Sequence, residues 1–481
     1  MQRKNRLTLA VAAAIAAMSA SAQAADTLFD NFTPLGASAG PTATPATPIT
    51  FGNTNFSQVT IADRTTQLGL GQANSGSWDM ITTNTSGPDQ GRYLFTVFET
   101  SSSGIQRTDL LNSNATTTIW QSPGVAPALN SHVAFDASYW TPWGTYITAE
   151  ESWTTAAGGA TTSPYGRLFE LTNPLTSTGN ANANFLHRNV IPRTSHEGIQ
   201  FDSGNSMYFI DELNGGSVYK YTSVAGAGAS YFDAGKTSVL RVGTGNTANA
   251  TGAYSWVDIT DANGAGLAGA LTITDPNGVV SVDGRNTTEL AAFKGTDYQR
   301  PEDLQIATLA NGDEVIYMAT TTTNEVYLLN LTTGNMSLFA NTSTIDLATG
   351  IAVGGGLTSP DNLAIDSEGN IYIVEDRNGG VDDDIWFAKD LNKDGDLLDA
   401  GEGIARWASN GTPGSEFTGL YFDPNNPNRA WVNIQHPTDL NDRMIQITAA
   451  VPEPSEYAMM LAGLAIVGGI ARRRASRMAS A

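Results

Sequence analysis

The chain has 481 residues, 49 Gly, 20 Pro and a formal net charge of −22. That acidity excludes a duplex nucleic-acid binder, which needs a basic footprint, and fits cation binding instead. Cys is absent, which excludes disulfides, thiolate metal ligands and a cysteine nucleophile.

Residues 1–24 read as a secretory signal. Arg3, Lys4 and Arg6 precede an apolar run from Leu7 to Met18, and Ala22-Gln23-Ala24 fits a small-x-small cleavage site. Residues 25–90 are rich in Thr, Ser, Pro and Ala and weakly patterned; they are expected to be an N-terminal segment leading into the main body at 91–449. Segments 92–97, 104–109 and 116–120 read as three strands of a first sheet unit.

A hairpin unit then recurs. Its clearest copy runs from Ser359-Pro360-Asp361 through Leu363 and Ile365, turns at Ser367-Glu368-Gly369-Asn370, and returns along Ile371 to Val374 into Glu375-Asp376. Two strands joined by a tight turn are antiparallel, so Asp361, Glu375 and Asp376 fall at one rim. Copies start at His132 and end at Glu150-Glu151, start at His196-Glu197 and end at Asp211-Glu212, start at Arg300-Pro301-Glu302, and start at Glu416 and end at His436. Repeated units of this size predict an all-β β-propeller. Residues 223–293 break the rhythm and read as an insertion between blades, with a strand at 271–274 and a short helix at 288–293.

Asp390, Asn392, Asp394 and Asp396, with Gly395 in sixth place, open like an EF-hand loop and predict calcium there. The closing acid is displaced: Gly401 takes the twelfth position and Glu402 the next. An acidic glycine turn without an ion is the alternative. At the far end, residues 450–481 hold Pro452-Glu453-Pro454, an apolar run from Tyr457 to Ile470, and Arg472-Arg473-Arg474. This resembles the PEP-CTERM sorting signal. The resemblance implies transient membrane insertion, an exosortase as partner, and release to the cell surface or the extracellular polysaccharide matrix of a Gram-negative bacterium; a plain membrane anchor is the alternative.

The hairpins bring Glu150, Glu151, His196, Glu197, Asp211, Glu212, Arg300, Glu302, Asp361, Glu375, Asp376, Glu416 and His436 to one predicted mouth. Oxygen-rich sets without thiolate suit hard cations such as calcium or ferric iron. Arg300 has two readings: a structural partner of Glu302, or the fork that holds a phosphate. For any single acid, a solvated strand end is the plainer reading.

An ordered set of motifs carries a further resemblance: residues 141–151, His196-Glu197, Arg300-Pro301-Glu302-Asp303, Ser359-Pro360-Asp361-Asn362-Leu363, Ser415-Glu416-Phe417-Thr418-Gly419 and Asn433-Ile434-Gln435-His436-Pro437. Together they resemble the PhoX-type alkaline phosphatase family. The resemblance implies a secreted six-bladed propeller with an iron and calcium cluster in its channel, hydrolysing phosphomonoesters. It implies Glu150 or Glu151, Glu197, Glu302 and Asp361 as metal ligands and Arg300 as the phosphoryl-binding residue. Ala149 stands where the family has an iron-holding Cys, so calcium is the expected ion and iron is put in doubt. A non-catalytic calcium-binding surface propeller is the alternative; a lactonase-like propeller, with a metal mouth of Glu, Asn and Asp, fits the order of motifs less well.

Overall fold

The computed structural model describes residues 27–41, 43–125, 128–152, 162–179, 184–245, 247–377 and 383–450. The expected signal peptide at 1–24 and the expected sorting tail past residue 450 lie outside them. No helix among the described residues is long and apolar enough to cross a membrane.

The fold is all-β and propeller-like. Its innermost strands are Trp78–Thr83, Phe135–Trp140, Ile199–Phe201, Pro301–Thr308, Pro360–Ile365 and Glu416–Phe422. Each packs beside the next, and the last packs back against the first, so they surround a central channel. From each, the following strands of its sheet step outward antiparallel, and the outermost strand of the Glu416–Phe422 sheet is the early Phe56–Asp63.

Strand alternation builds the core between neighbouring sheets. Strand Ile371–Glu375 is buried along its whole length. Its Ile371 and Ile373 pack with Val315 and Leu328 of the preceding sheet. Its Tyr372 and Val374 pack with Phe422 and Ile434 of the following one. Met207 and Phe209 likewise face Ile147 and Leu168, while Tyr208 and Ile210 face Ile316 and Met318. A strand squeezed between two seams needs apolar side chains on both faces, which is why the second strands read as unbroken hydrophobic runs.

Three expectations are corrected. Residues 25–90 are more than a leader: Phe56–Asp63 pairs along its length with Arg443–Ala449, from Phe56↔Ala449 to Asp63↔Arg443, and Trp78–Thr83 is an innermost strand. Val59 and Ile61, alternating with Gln58 and Thr60, carry that strand in a Thr/Ser-rich setting. The first half of 223–293 is sheet too. Gly235–Val242 pairs with Val218–Ser223, and Gly252–Asp258 extends that sheet to Asn335–Ala340; buried Val239, Leu240 and Val242 hold it. The short helix lies at Gly284–Thr287 rather than 288–293. Arg285 fixes it there, bonding Asp283 at 2.9 Å and the carbonyls of Ser152 and Ser163 at 2.8 and 2.7 Å.

Candidate active site

One local device aims the acids. The pairing of innermost with second strand slips between Trp78 and Ile81, Phe135 and Ser138, Pro301 and Leu304, and Pro360 and Leu363. The bulged residues begin with Asp79, Asp136, Glu302 and Asp361. Bulges bend a strand and re-aim a side chain, here into the channel. Just before each bulged strand stands a residue with positive φ: Ser77 at 49°, Ala134 at 34°, Arg300 at 55° and Ser359 at 46°. For a non-glycine residue this conformation costs about 1 kcal/mol or more. Its carbonyl accepts the N–H of the residue ending the second strand. Those bonds are Glu99 to Ser77 and Glu151 to Ala134, both 2.8 Å, and Thr321 to Arg300 and Asp376 to Ser359, both 3.0 Å. Glu212 makes the same bond to Ser195 at 2.9 Å. The rim is therefore lined twice: by bulge acids below and by second-strand termini above.

The result is a concentration of buried carboxylates. Ligand oxygens of Glu197, Glu302 and Asp361 lie within 4.8 Å of one another. Burial raises the pKa of Asp79, Glu99, Asp136, Glu197, Glu212 and Asp361 well above the ordinary range, and neighbouring acids raise it further. Glu302 is raised less, because burial is opposed by Glu197, Arg300 and Thr321. Glu197 and Glu302 lie close enough that each shifts the other's titration. Glu302 Oε2, Glu212 Oε2 and Asp136 Oδ1 are buried and receive no bond from a neutral donor. Oxygen atoms left in that condition are what a hard cation satisfies, so the donor set fits calcium.

Arg300 stands at the edge of this cluster with its side chain 23% exposed. Its Nε donates to Glu212 Oε1 at 3.0 Å and lies 3.3 Å from Glu302 Oε1; its Nη2 also bonds Glu212. Both sequence readings of Arg300 meet here, since the pairing with acids orients the guanidinium at the mouth.

Strand alternation separates each acidic pair. Glu150 does not have the oxygen to spare that a ligand needs, and the expectation for it is corrected. Its Oε1 accepts from Val133 N–H at 3.2 Å and Arg167 Nη2 at 2.6 Å. Its Oε2 accepts from the N–H groups of Gly166 and Arg167 and from Arg167 Nε, at 3.1, 3.0 and 2.9 Å. Burial would raise its pKa, but Arg167 overrides burial and holds it at about 2. Glu375 is spent similarly, on Thr358 N–H at 2.7 Å and Trp386 Nε1 at 3.0 Å, and Asp211 on Ser195 N–H at 3.0 Å. Glu151 and Asp376, one residue later, act electrostatically on the channel acids instead, and Glu212 and Glu302 repel each other.

The sheet of Glu416–Phe422 departs from this scheme. Its slip falls between Thr418 and Tyr421, so Gly419 occupies the place of a bulge acid. A Cβ on Gly419 would lie 2.8 Å from the N of Ile81. Glu416 sits higher, with His436 Nε2 at 3.3 Å. His196 is buried and its ring nitrogens meet no partner; burial lowers its pKa to about 3, so it is a neutral ring packed on Phe209. Asp390, Asn392, Asp394 and Asp396 do not join the channel; their loop follows strand Asp384–Lys389 at its other end. Asp79, Glu99 and Asp136 escaped the sequence reading. The signal was present in Phe98-Glu99, where an acid again follows an apolar strand.

A propeller-like body encloses a buried all-oxygen donor set of the kind that suits a hard cation, with a guanidinium at its edge. Residues 137–438 match the family described as alkaline phosphatase PhoX. The chain belongs to that family and is an enzyme of the phosphatase class. Among solved structures, Pseudomonas fluorescens PhoX in complex with vanadate, a transition state analogue, shares the fold. It is 15% identical, the match covers 86% of this chain and 98% of that one, and the TM-score is 0.56. More distant is a putative gluconolactonase at 13% identity, covering 89% and 97%, with a TM-score of 0.39. The PQQ-bound aldose sugar dehydrogenase of Streptomyces coelicolor is 12% identical, covering 84% and 99%, with a TM-score of 0.38. No curated protein matches the chain.

Proposed function

We propose that this chain is a secreted phosphomonoesterase on a six-bladed propeller, with calcium held by Glu151, Glu197, Glu302 and Asp361. Asp79, Asp136 and Glu212 would lend further oxygens. The observation that carries the reading is the convergence of Glu197, Glu302 and Asp361 oxygens within 4.8 Å of one another, buried beside Arg300. Calcium, when bound, would neutralise the acids and polarise a phosphoryl oxygen. Arg300, oriented by Glu212 and Glu302, would bind the phosphoryl group and stabilise charge as it develops on the oxygens. Ala149 is buried with Ala137, Ile147 and Leu168 and offers no soft donor, which favours calcium over the family's iron. Export and exosortase-dependent delivery to the surface matrix remain part of the proposal, resting on residues 1–24 and 450–481.

The test is turnover of p-nitrophenyl phosphate by the purified mature chain, with metals measured on the same sample. EDTA should abolish turnover and calcium should restore it. Arg300→Ala should abolish turnover while the metal content stays the same. A calcium-loaded, folded chain without turnover, also when given iron, would remove the enzyme reading. It would leave a non-catalytic calcium-binding surface propeller, the reading that Ala149 favours.

A further inference from the structure

We propose that loop 390–402 is a separate calcium site, remote from the channel, that clamps the sheet of Pro360–Ile365 to that of Pro301–Thr308. The register sets its position. Asp361 and Asp376 mark the mouth, whereas Ile365 pairs with Ile371, Ile371 with Ala388, and Lys389 with Gly403. The loop therefore leaves the opposite face of the body.

Asp390 is 6% exposed. Its Oδ2 accepts the N–H of Gly395 at 3.0 Å, while its Oδ1 is buried with no partner. A buried carboxylate oxygen in that state is an opening for a cation. The displaced Glu402, 2% exposed, braces the loop from inside, its oxygens accepting the N–H groups of Leu391 at 2.9 Å and Asp399 at 3.0 Å. Asn392, Asp394 and Asp396 follow on the same turn, where Asn392 Oδ1, Asp394 Oδ1 and Asp396 Oδ1 accept the N–H groups of Asp394, Asp396 and Leu398 at 3.1, 3.2 and 2.9 Å. The loop's own base is turned away: Lys393 Nζ bonds Asn370 Oδ1 at 2.7 Å and Gly369 O at 3.2 Å. An all-oxygen, flexible donor set of this kind suits calcium rather than magnesium, which demands stricter geometry.

The clamp follows from what the loop touches. Ala310 N–H bonds Lys393 O at 2.8 Å. Gly395 has φ +90°, and a Cβ there would lie 2.6 Å from Leu328 Cδ1. Ala310 and Leu328 belong to the Pro301–Thr308 sheet and its turn, while Lys393 reaches Gly369 in the next sheet.

The test uses the purified full chain, with Glu302→Gln as the channel control. Asp390→Asn combined with Asp394→Asn should remove one calcium per chain by elemental analysis. Trypsin should cut the wild-type chain after Lys393 at least tenfold more slowly in calcium than in EDTA, and calcium should protect the Glu302→Gln chain equally. Saturation at 100 times the dissociation constant should raise Tm by about 3 °C. Equal calcium counts in wild type and double variant would overturn the proposal. If the double variant does not fold, the trypsin result decides: a cutting rate indifferent to calcium overturns it.

Discussion

Arg167→Met tests the architecture behind the mouth. Arg167 and Glu150 are 1% and 0% exposed at their side chains, and Arg167 also lies 3.3 Å from Asp275 and 2.7 Å from the Ser131 carbonyl. Removing the cation strands Glu150 as a buried anion, which costs about 3–5 kcal/mol. For a chain of this size that corresponds to a Tm loss of about 3–5 °C. The pH dependence supplies a second reading. Arg167 holds the Glu150 pKa at about 2 against an ordinary 4.5, so Glu150 contributes stability that is present above 4.5 and lost as pH falls toward 2. That contribution is about 3 kcal/mol. The gap between wild type and variant should therefore be widest at neutral pH and narrow steadily as pH falls toward 2, because Glu150 takes up its proton early in the variant and only near pH 2 in the wild type. Calorimetry or circular dichroism across pH 3–8 measures it. A gap under 1 °C at pH 7, or one that stays constant down to pH 3, would refute the assignment of Glu150 to structure. In the same background Glu151→Gln should lower calcium content and turnover with little change in Tm.

The channel acids titrate in the opposite sense. Their pKa values are raised by burial and mutual repulsion, so in EDTA their stabilising contribution is present below about pH 4 and lost as pH rises; Tm should fall from pH 5 to pH 8, and calcium should cancel the fall. Gly419→Ala forces a Cβ to 2.8 Å from Ile81 N at φ +60° and should cost about 2 kcal/mol or more, read as a lowered urea midpoint. Deleting residues through 63 uncovers the edge of Arg443–Ala449 and should produce aggregation visible by light scattering; a monomeric, cooperatively unfolding truncation would contradict the pairing.

The hairpins were legible because their period is short and local. Leu363, Ile365, Ile371 and Ile373 alternate as strands must, and Gly369, at φ +76°, supplies the turn. The acidic ends were legible for the same reason. What was not legible depends on partners distant in sequence. Phe56–Asp63 looks like any Thr-rich stretch until Arg443–Ala449 lies beside it, and Gly235–Val242 is hidden by Gly, Ala and Asn on both sides. The choice between Glu150 and Glu151 needed Arg167, whose role no spacing rule reveals. Bulges decide the ring of acids, and a bulge leaves no mark in composition.

The pairing of Phe56–Asp63 with Arg443–Ala449 makes this molecule a buckle whose tongue is synthesised early and whose clasp arrives last. Ribosomes add roughly 5–20 residues per second, so the early strand waits on the order of a minute before its partner exists. Throughout that interval the circle of sheets is open at one gap, the gap that Trp78, Leu94, Trp431 and Met444 finally fill. Damage to the last strand would thus be felt at the first, and late truncations would behave like a body that never shuts.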